Sequence, residues 1–183
     1  PLKASQRKNI VKKMAEDNRP REAKRLVNHA IKMEPNEGNF RSFLGDLELD
    51  AKRYTAAQNA YSEAIELNPD FFYPHLQSGL ASEKQGALTK AISRLNRSIE
   101  LLPTPQAYNA LGNIAQRQGD TDQAREYFAA ASKGQGEAGQ TALNSLLKID
   151  LSRNPGAYIA IRYGRNEVSA LQIEVANKAL QIP

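Results

Sequence analysis

The chain has 183 residues, of which 40% are hydrophobic and 7% aromatic, with no tryptophan, and it carries a net charge of +5. So lean an apolar content suits thin layers of helices better than one deep interior. The absence of cysteine excludes disulfides, thiolate metal sites and cysteine nucleophiles, and no apolar run approaches the roughly 20 residues of a membrane span.

The basic excess is uneven. Lys3, Arg7, Lys8, Lys12, Lys13, Arg19, Arg21, Lys24 and Arg25 crowd the first segment. Such a cluster either meets an anionic surface or solvates the end of a repeat array. Nucleic acid is the weaker of the anionic partners, because no aromatic side chains interleave with these cations as stacking platforms. Beginning at Pro1, the chain reads as a fragment or a processed product.

A period of 34 residues organises most of the sequence. Pro35, Pro69 and Pro103 each close a similar phrase: Ala30-Ile31-Lys32-Met33-Glu34, Ala64-Ile65-Glu66-Leu67-Asn68 and Ser98-Ile99-Glu100-Leu101-Leu102. Ala23, Ala57, Ala91 and Ala124 recur with the period, as do Gly45, Gly79 and Gly112. Each period reads as two helices; in the second they span about 40–51 and 55–67, with apolar residues at helical spacing. The mid-helix glycines admit a close neighbour, answered by Ala57, Ala91 and Ala124, with Tyr61, Leu95 and Phe128 filling the larger gap one turn later. Asn18, Gly86 and Gly119 suit a left-handed turn inside each hairpin, whereas Lys52 holds that place in the second unit at a cost of about 1 kcal/mol. Pro20 fits a first helical turn and Asp120 an N-cap.

Leu44-Gly45, Ala57, Tyr61, Ala64, Pro69 and Gly86, with their counterparts, resemble the tetratricopeptide repeat family over about 4–136. The resemblance implies a mainly α chain: a right-handed α-solenoid of about four helical hairpins plus a capping helix. The sequence departs from the pattern early in each first helix, where Arg7, Arg41, His75 and Asn109 replace a bulky aromatic. Gln140 to Ile149 carries an apolar stripe (Ala142, Leu143, Leu146, Leu147, Ile149) and is the expected cap. The array with its cap is expected over 1–150. From 151 to 183 the period changes: Asn154-Pro155-Gly156 breaks the helix, Tyr158–Tyr163 is short and β-prone, and Leu171, Ile173 and Val175 alternate with polar residues. This tail reads as the incomplete start of a small β domain, whose free strand edges imply a homodimer by strand pairing.

No catalytic motif is present. His29 and His75 stand in different units, no His-Glu-x-x-His pair exists, and no phosphate loop or nucleophile elbow appears. The chain is therefore read as no enzyme, with no cofactor, no metal and no small-molecule substrate. What remains is a groove. The family resemblance implies that the first helix of each hairpin lines a concave peptide-binding face made of Lys8, Lys12, Asn39, Ser42, Asp46, Leu49, Tyr73, Leu76, Leu80, Gln106, Asn109, Asn113 and Arg117. Asn109 and Asn113 would hold a guest backbone by both amide edges, Tyr73, Leu76 and Leu80 would receive an apolar side chain, and the two lysines an acidic one. The alternative is that Leu76 and Leu80 belong to the core between hairpins.

Leu101-Leu102-Pro103-Thr104, Ala107–Gly112, Gly136-Glu137-Ala138-Gly139 and Asn154–Tyr158 also resemble the C-terminal half of bacterial periplasmic zinc metalloproteases of the beta-barrel assembly-enhancing type. That resemblance implies a substrate- or partner-docking module, a peptidase domain upstream, an envelope location rather than the cytoplasm, and docking on an outer-membrane assembly complex. Two other roles compete with peptide capture: oligomerisation through the tail, and anionic-surface binding by the first hairpin.

Overall fold

The computed structural model describes residues 20–153. They form eight helices: α1 (Pro20–Met33), α2 (Gly38–Asp50), α3 (Tyr54–Leu67), α4 (Phe72–Lys84), α5 (Leu88–Leu101), α6 (Pro105–Arg117), α7 (Thr121–Ala131) and α8 (Glu137–Arg153). No strand occurs among the described residues. The expected C-terminal β segment, the turn at Asn18 and the first helix of the basic hairpin lie outside them. The chain divides between Pro103 and Thr104 into two compact units.

In the first unit, α2 lies against α3 and α4 against α5, and α3 joins the two hairpins by packing on α4. The mid-helix glycines allow this approach. A methyl group placed on Gly79 would lie 2.7 Å from Leu95 Cγ, and one on Gly45 would lie 2.6 Å from Tyr61 Cδ1. The side chain directly over each glycine is thus Tyr61 or Leu95, and not the alanine expected to answer it. Ala57 and Ala91 are nonetheless fully buried, one turn earlier on the same helices.

The turns inside the hairpins close as the sequence requires. Gly86 has φ +76°, and Lys52 takes φ +58° in the equivalent place. After α2, Arg53 N–H donates to Glu48 O at 2.8 Å and Lys52 N–H to Leu49 O at 2.8 Å. The same two bonds follow α4, from Ala87 to Ser82 and from Gly86 to Glu83. Both are helix stops built on a left-handed residue.

Where the family pattern has an aromatic, two polar side chains take a different task. Arg41 Nη1 donates to the carbonyl of Pro35, and His75 Nε2 lies 3.0 Å from that of Pro69. Each satisfies the carbonyl of the proline six residues earlier, where one helix stops and the next approaches. Glu48 is another buried polar group. Its carboxylate is held by Lys24 of α1 at 2.5 Å and by Arg53. Burial alone would raise its pKa, but the hydrogen bonds and charges of Lys24 and Arg53 outweigh burial and hold it below the usual range.

In the second unit, α8 lies across α6 and α7. Ala142 and Ile149 are buried against Ala115, Ala124, Phe128 and Ala131, with Leu146 packed alongside. Arg125 and Asp150 form an ion pair at 2.5 Å, as do Arg153 and Asp122. The helix begins three residues before the expected cap and runs through the expected domain boundary at 150. Asp120 caps α7 by accepting from Gln123 N–H at 2.9 Å, and Thr104 caps α6 by accepting from Ala107 N–H at 3.3 Å. The first of these caps is legible in the sequence.

Candidate functional site

Within the first unit, α2 and the start of α4 enclose a cavity of about 220 Å³, lined by Asn39, Ser42, Phe43, Asp46, Phe71 and Tyr73. Four of these six are among the residues expected in the groove. They meet because Asn39, Ser42 and Asp46 fall on one face of α2 at helical spacing, opposite the residues that enter α4. Phe71, Phe72 and Tyr73 form an aromatic cluster at that entry. Phe71 and Tyr73 are stacked with ring centroids 6.1 Å apart, and Phe72 meets each of them edge-on.

Asp46 is the chemical centre of the cavity. Its Oδ1 accepts the Tyr61 hydroxyl at 2.8 Å and the Tyr73 hydroxyl at 3.0 Å. Burial pushes its pKa from 3.8 up to about 6; the two hydroxyls oppose the rise and the negative charge of Asp50 adds to it. Asn39 Nδ2 is turned to Glu37 at 2.7 Å, and Ser42 is buried with its hydroxyl toward Gly38 O at 3.4 Å. Neither offers its full hydrogen-bonding capacity to a guest.

The remaining expected residues separate. Leu76 is only 5% exposed and belongs to the core; the reading of it as a groove residue is corrected by that burial. Leu49 and Leu80 are half-buried. Gln106, Asn109, Asn113 and Arg117 lie on α6, in the second unit, where Gln106 and Arg117 are exposed and the two asparagines half-buried. Asn109 Oδ1 is shut off from solvent without a hydrogen-bond partner. Its amide therefore presents only the donor edge, and not both edges as expected. Lys8 and Lys12 lie outside the described residues.

Phe43 and Phe71 were absent from the expected set, as was the Tyr61 hydroxyl. The run Phe71-Phe72-Tyr73 holds a quarter of the chain's 12 aromatic residues, and that concentration was the available signal.

Residues 45–86 match the family model described as TPR repeat, and residues 105–133 match that described as Tetratricopeptide repeat. Over these two segments the chain is similar to tetratricopeptide repeats. The TPR repeat-containing protein MJ1428 of Methanocaldococcus jannaschii is 27% identical over 97 residues, which cover 53% of this chain and 17% of that protein. Among solved structures, one from a functional characterization of Pseudomonas aeruginosa pilF has a TM-score of 0.73 at 17% identity, covering 95% of this chain and 81% of the other. A structure of MamA, from residue 41 to its end, from Desulfovibrio magneticus RS-1 has a TM-score of 0.70 at 15% identity, covering 98% and 97%. At such identities these likenesses concern the tetratricopeptide fold alone.

Proposed function

We propose that this tetratricopeptide chain holds an extended segment of another polypeptide, and that the cavity between α2 and α4 is where a guest side chain is gripped. The observation that carries this reading is the cavity itself, lined by the aromatic Phe43, Phe71 and Tyr73 together with the carboxylate of Asp46. Its volume lies below the roughly 300–1,000 Å³ of small-molecule sites, which suits one side chain of a chain that continues past it. Aromatic anchors in a partly desolvated pocket are also the common centres of protein recognition. The affinity expected for a short peptide is on the order of micromolar.

Binding of the full chain to a randomised peptide array tests the proposal. Selected peptides should bind the wild type and lose most of their affinity for Tyr73→Ala, with the melting transition checked alongside. Equal binding by Tyr73→Ala and wild type would refute the cavity as the gripping site.

The resemblance to envelope metalloproteases supports a finer version, in which this grip recruits substrates or partners in the bacterial periplasm for a peptidase domain of the same parent protein. A His-Glu-x-x-His helix encoded in the same gene is the expected finding, and a parent gene without one overturns that version.

A further inference from the structure

The carboxylate of Asp46 is used unevenly. Both tyrosine hydroxyls fall on Oδ1, although an ionised carboxylate has about four acceptor positions. Oδ2 accepts nothing from the described residues. Asp46 itself lines the cavity beside Phe71 and Tyr73.

Among the described residues, the one charged group that acts on the Asp46 carboxyl is Asp50. From α2 the nearby titratable group is Asp50, from α3 it is Tyr61 and from α4 it is Tyr73. No lysine, arginine or histidine among the described residues forms an ion pair with Asp46. A carboxylate beside stacked aromatic rings repels an anionic guest. An apolar guest would leave the second carboxylate oxygen without water or partner, which is costly. A cation on an apolar stem satisfies both features, because its charge meets the carboxylate while its methylenes and charge lie against ring faces.

We propose that the cavity is a socket for a lysine or arginine side chain of the bound peptide, with Asp46 Oδ2 as counter-ion and Phe71 and Tyr73 as the aromatic walls. The proposal rests on the peptide-holding reading above and adds the class of side chain that is read. Because burial sets the carboxylate's pKa at about 6, the socket holds its charge at neutral pH and loses it in mild acid.

The test uses the full chain and short blocked peptides that differ only in one central residue: lysine, arginine, norleucine or glutamate. Titration calorimetry at pH 7.5 should show lysine and arginine binding at least about tenfold tighter than norleucine, with glutamate weakest. The preference should fade below pH about 6 and vanish in Asp46→Asn. Phe71→Ala should weaken the lysine and arginine peptides severalfold with an unchanged melting transition, which covers the case in which Asp46→Asn alters the fold. Norleucine binding as tightly as lysine would overturn the socket, as would a lysine preference that survives Asp46→Asn. If the peptides all bind alike and Tyr73→Ala abolishes binding, the charge reading falls and the peptide-holding reading stands. If array peptides also fail to bind, both fall.

Discussion

Tyr73, at the start of α4, donates its hydroxyl to Asp46 in the middle of α2 over 3.0 Å, and so ties the first helices of successive hairpins through a single carboxylate oxygen. The Tyr61 hydroxyl, from α3, arrives at the same oxygen. Three helices thus converge on one acid that burial disfavours. A stability cost of this kind is characteristic of groups kept for binding.

The cost is measurable. Asp46 has a higher pKa folded than unfolded, so the folded state binds the extra proton between pH about 4 and 6 and loses stability as pH rises through that window. Asp46→Asn keeps an oxygen for both tyrosine hydroxyls and removes the charge. Denaturant unfolding at pH 7.5 should show a gain of up to about 3 kcal/mol, shrinking toward zero near pH 4. A loss of stability at neutral pH would contradict the assignment.

His75 pulls the other way. Burial lowers its pKa first of all; the bond to the Pro69 carbonyl opposes this, and Arg94 and Arg97 reinforce it. With Nε2 donating to that carbonyl, Nδ1 is a buried acceptor without a partner, and protonation would place a second proton where nothing receives it. The folded pKa lies below the unfolded 6.5, so this residue's contribution is present above pH 6.5 and declines as pH falls below it. His75→Gln can still reach Pro69 and does not titrate. Its unfolding free energy should therefore depend less on pH between neutrality and pH 5 than that of the wild type, and equal slopes would count against the argument.

Gly79 tests the packing rule. Alanine in an exposed helix interior gains about 1 kcal/mol over glycine, but here its methyl would lie 2.7 Å from Leu95 Cγ and 3.2 Å from Leu95 N. Overpacking against the Leu95 side chain and backbone should dominate, and Gly79→Ala should lose about 2 kcal/mol net. Thermal melting checks the sign, and a stabilised variant would mean the two helices can move apart freely.

How much of this was legible follows from what each residue does alone. Gly45, Gly79 and Gly112 announced close helix contacts because nothing else justifies a mid-helix glycine at a fixed period. Which side chain stands over them was not legible: Tyr61 and Leu95 cover Gly45 and Gly79, and spacing cannot separate a facing alanine from a larger residue one turn on. The family resemblance put Asp46 and Tyr73 on the inner face, but it could not give their bond, since Tyr61 reads as an apolar filler until its hydroxyl has a partner. Phe71 precedes α4 and falls outside any helical period, so pattern alone leaves it out of the cavity. Leu76 and Leu80 share a face; periodicity gives the face and not the depth, and only Leu76 is in the core.

Lys52 is a place where the sequence departs from the family and the backbone does not. It holds φ +58° in the turn where Gly86 has +76°. Lys52→Gly should relieve the strain of a side chain in that region, offset in part by a more flexible unfolded chain, and should stabilise the protein by about 1 kcal/mol or less. A destabilised variant in chemical denaturation would show that the lysine contributes a compensating contact.

The central claim is that the cavity between α2 and α4 grips a segment of another polypeptide. The most direct measurement is amide chemical-shift mapping of the full chain as an array-selected peptide is added. The account predicts saturable shifts centred on Asn39, Phe43, Asp46, Phe71 and Tyr73. Shifts confined to α3 and α5, with those five residues unmoved at saturation, would contradict it.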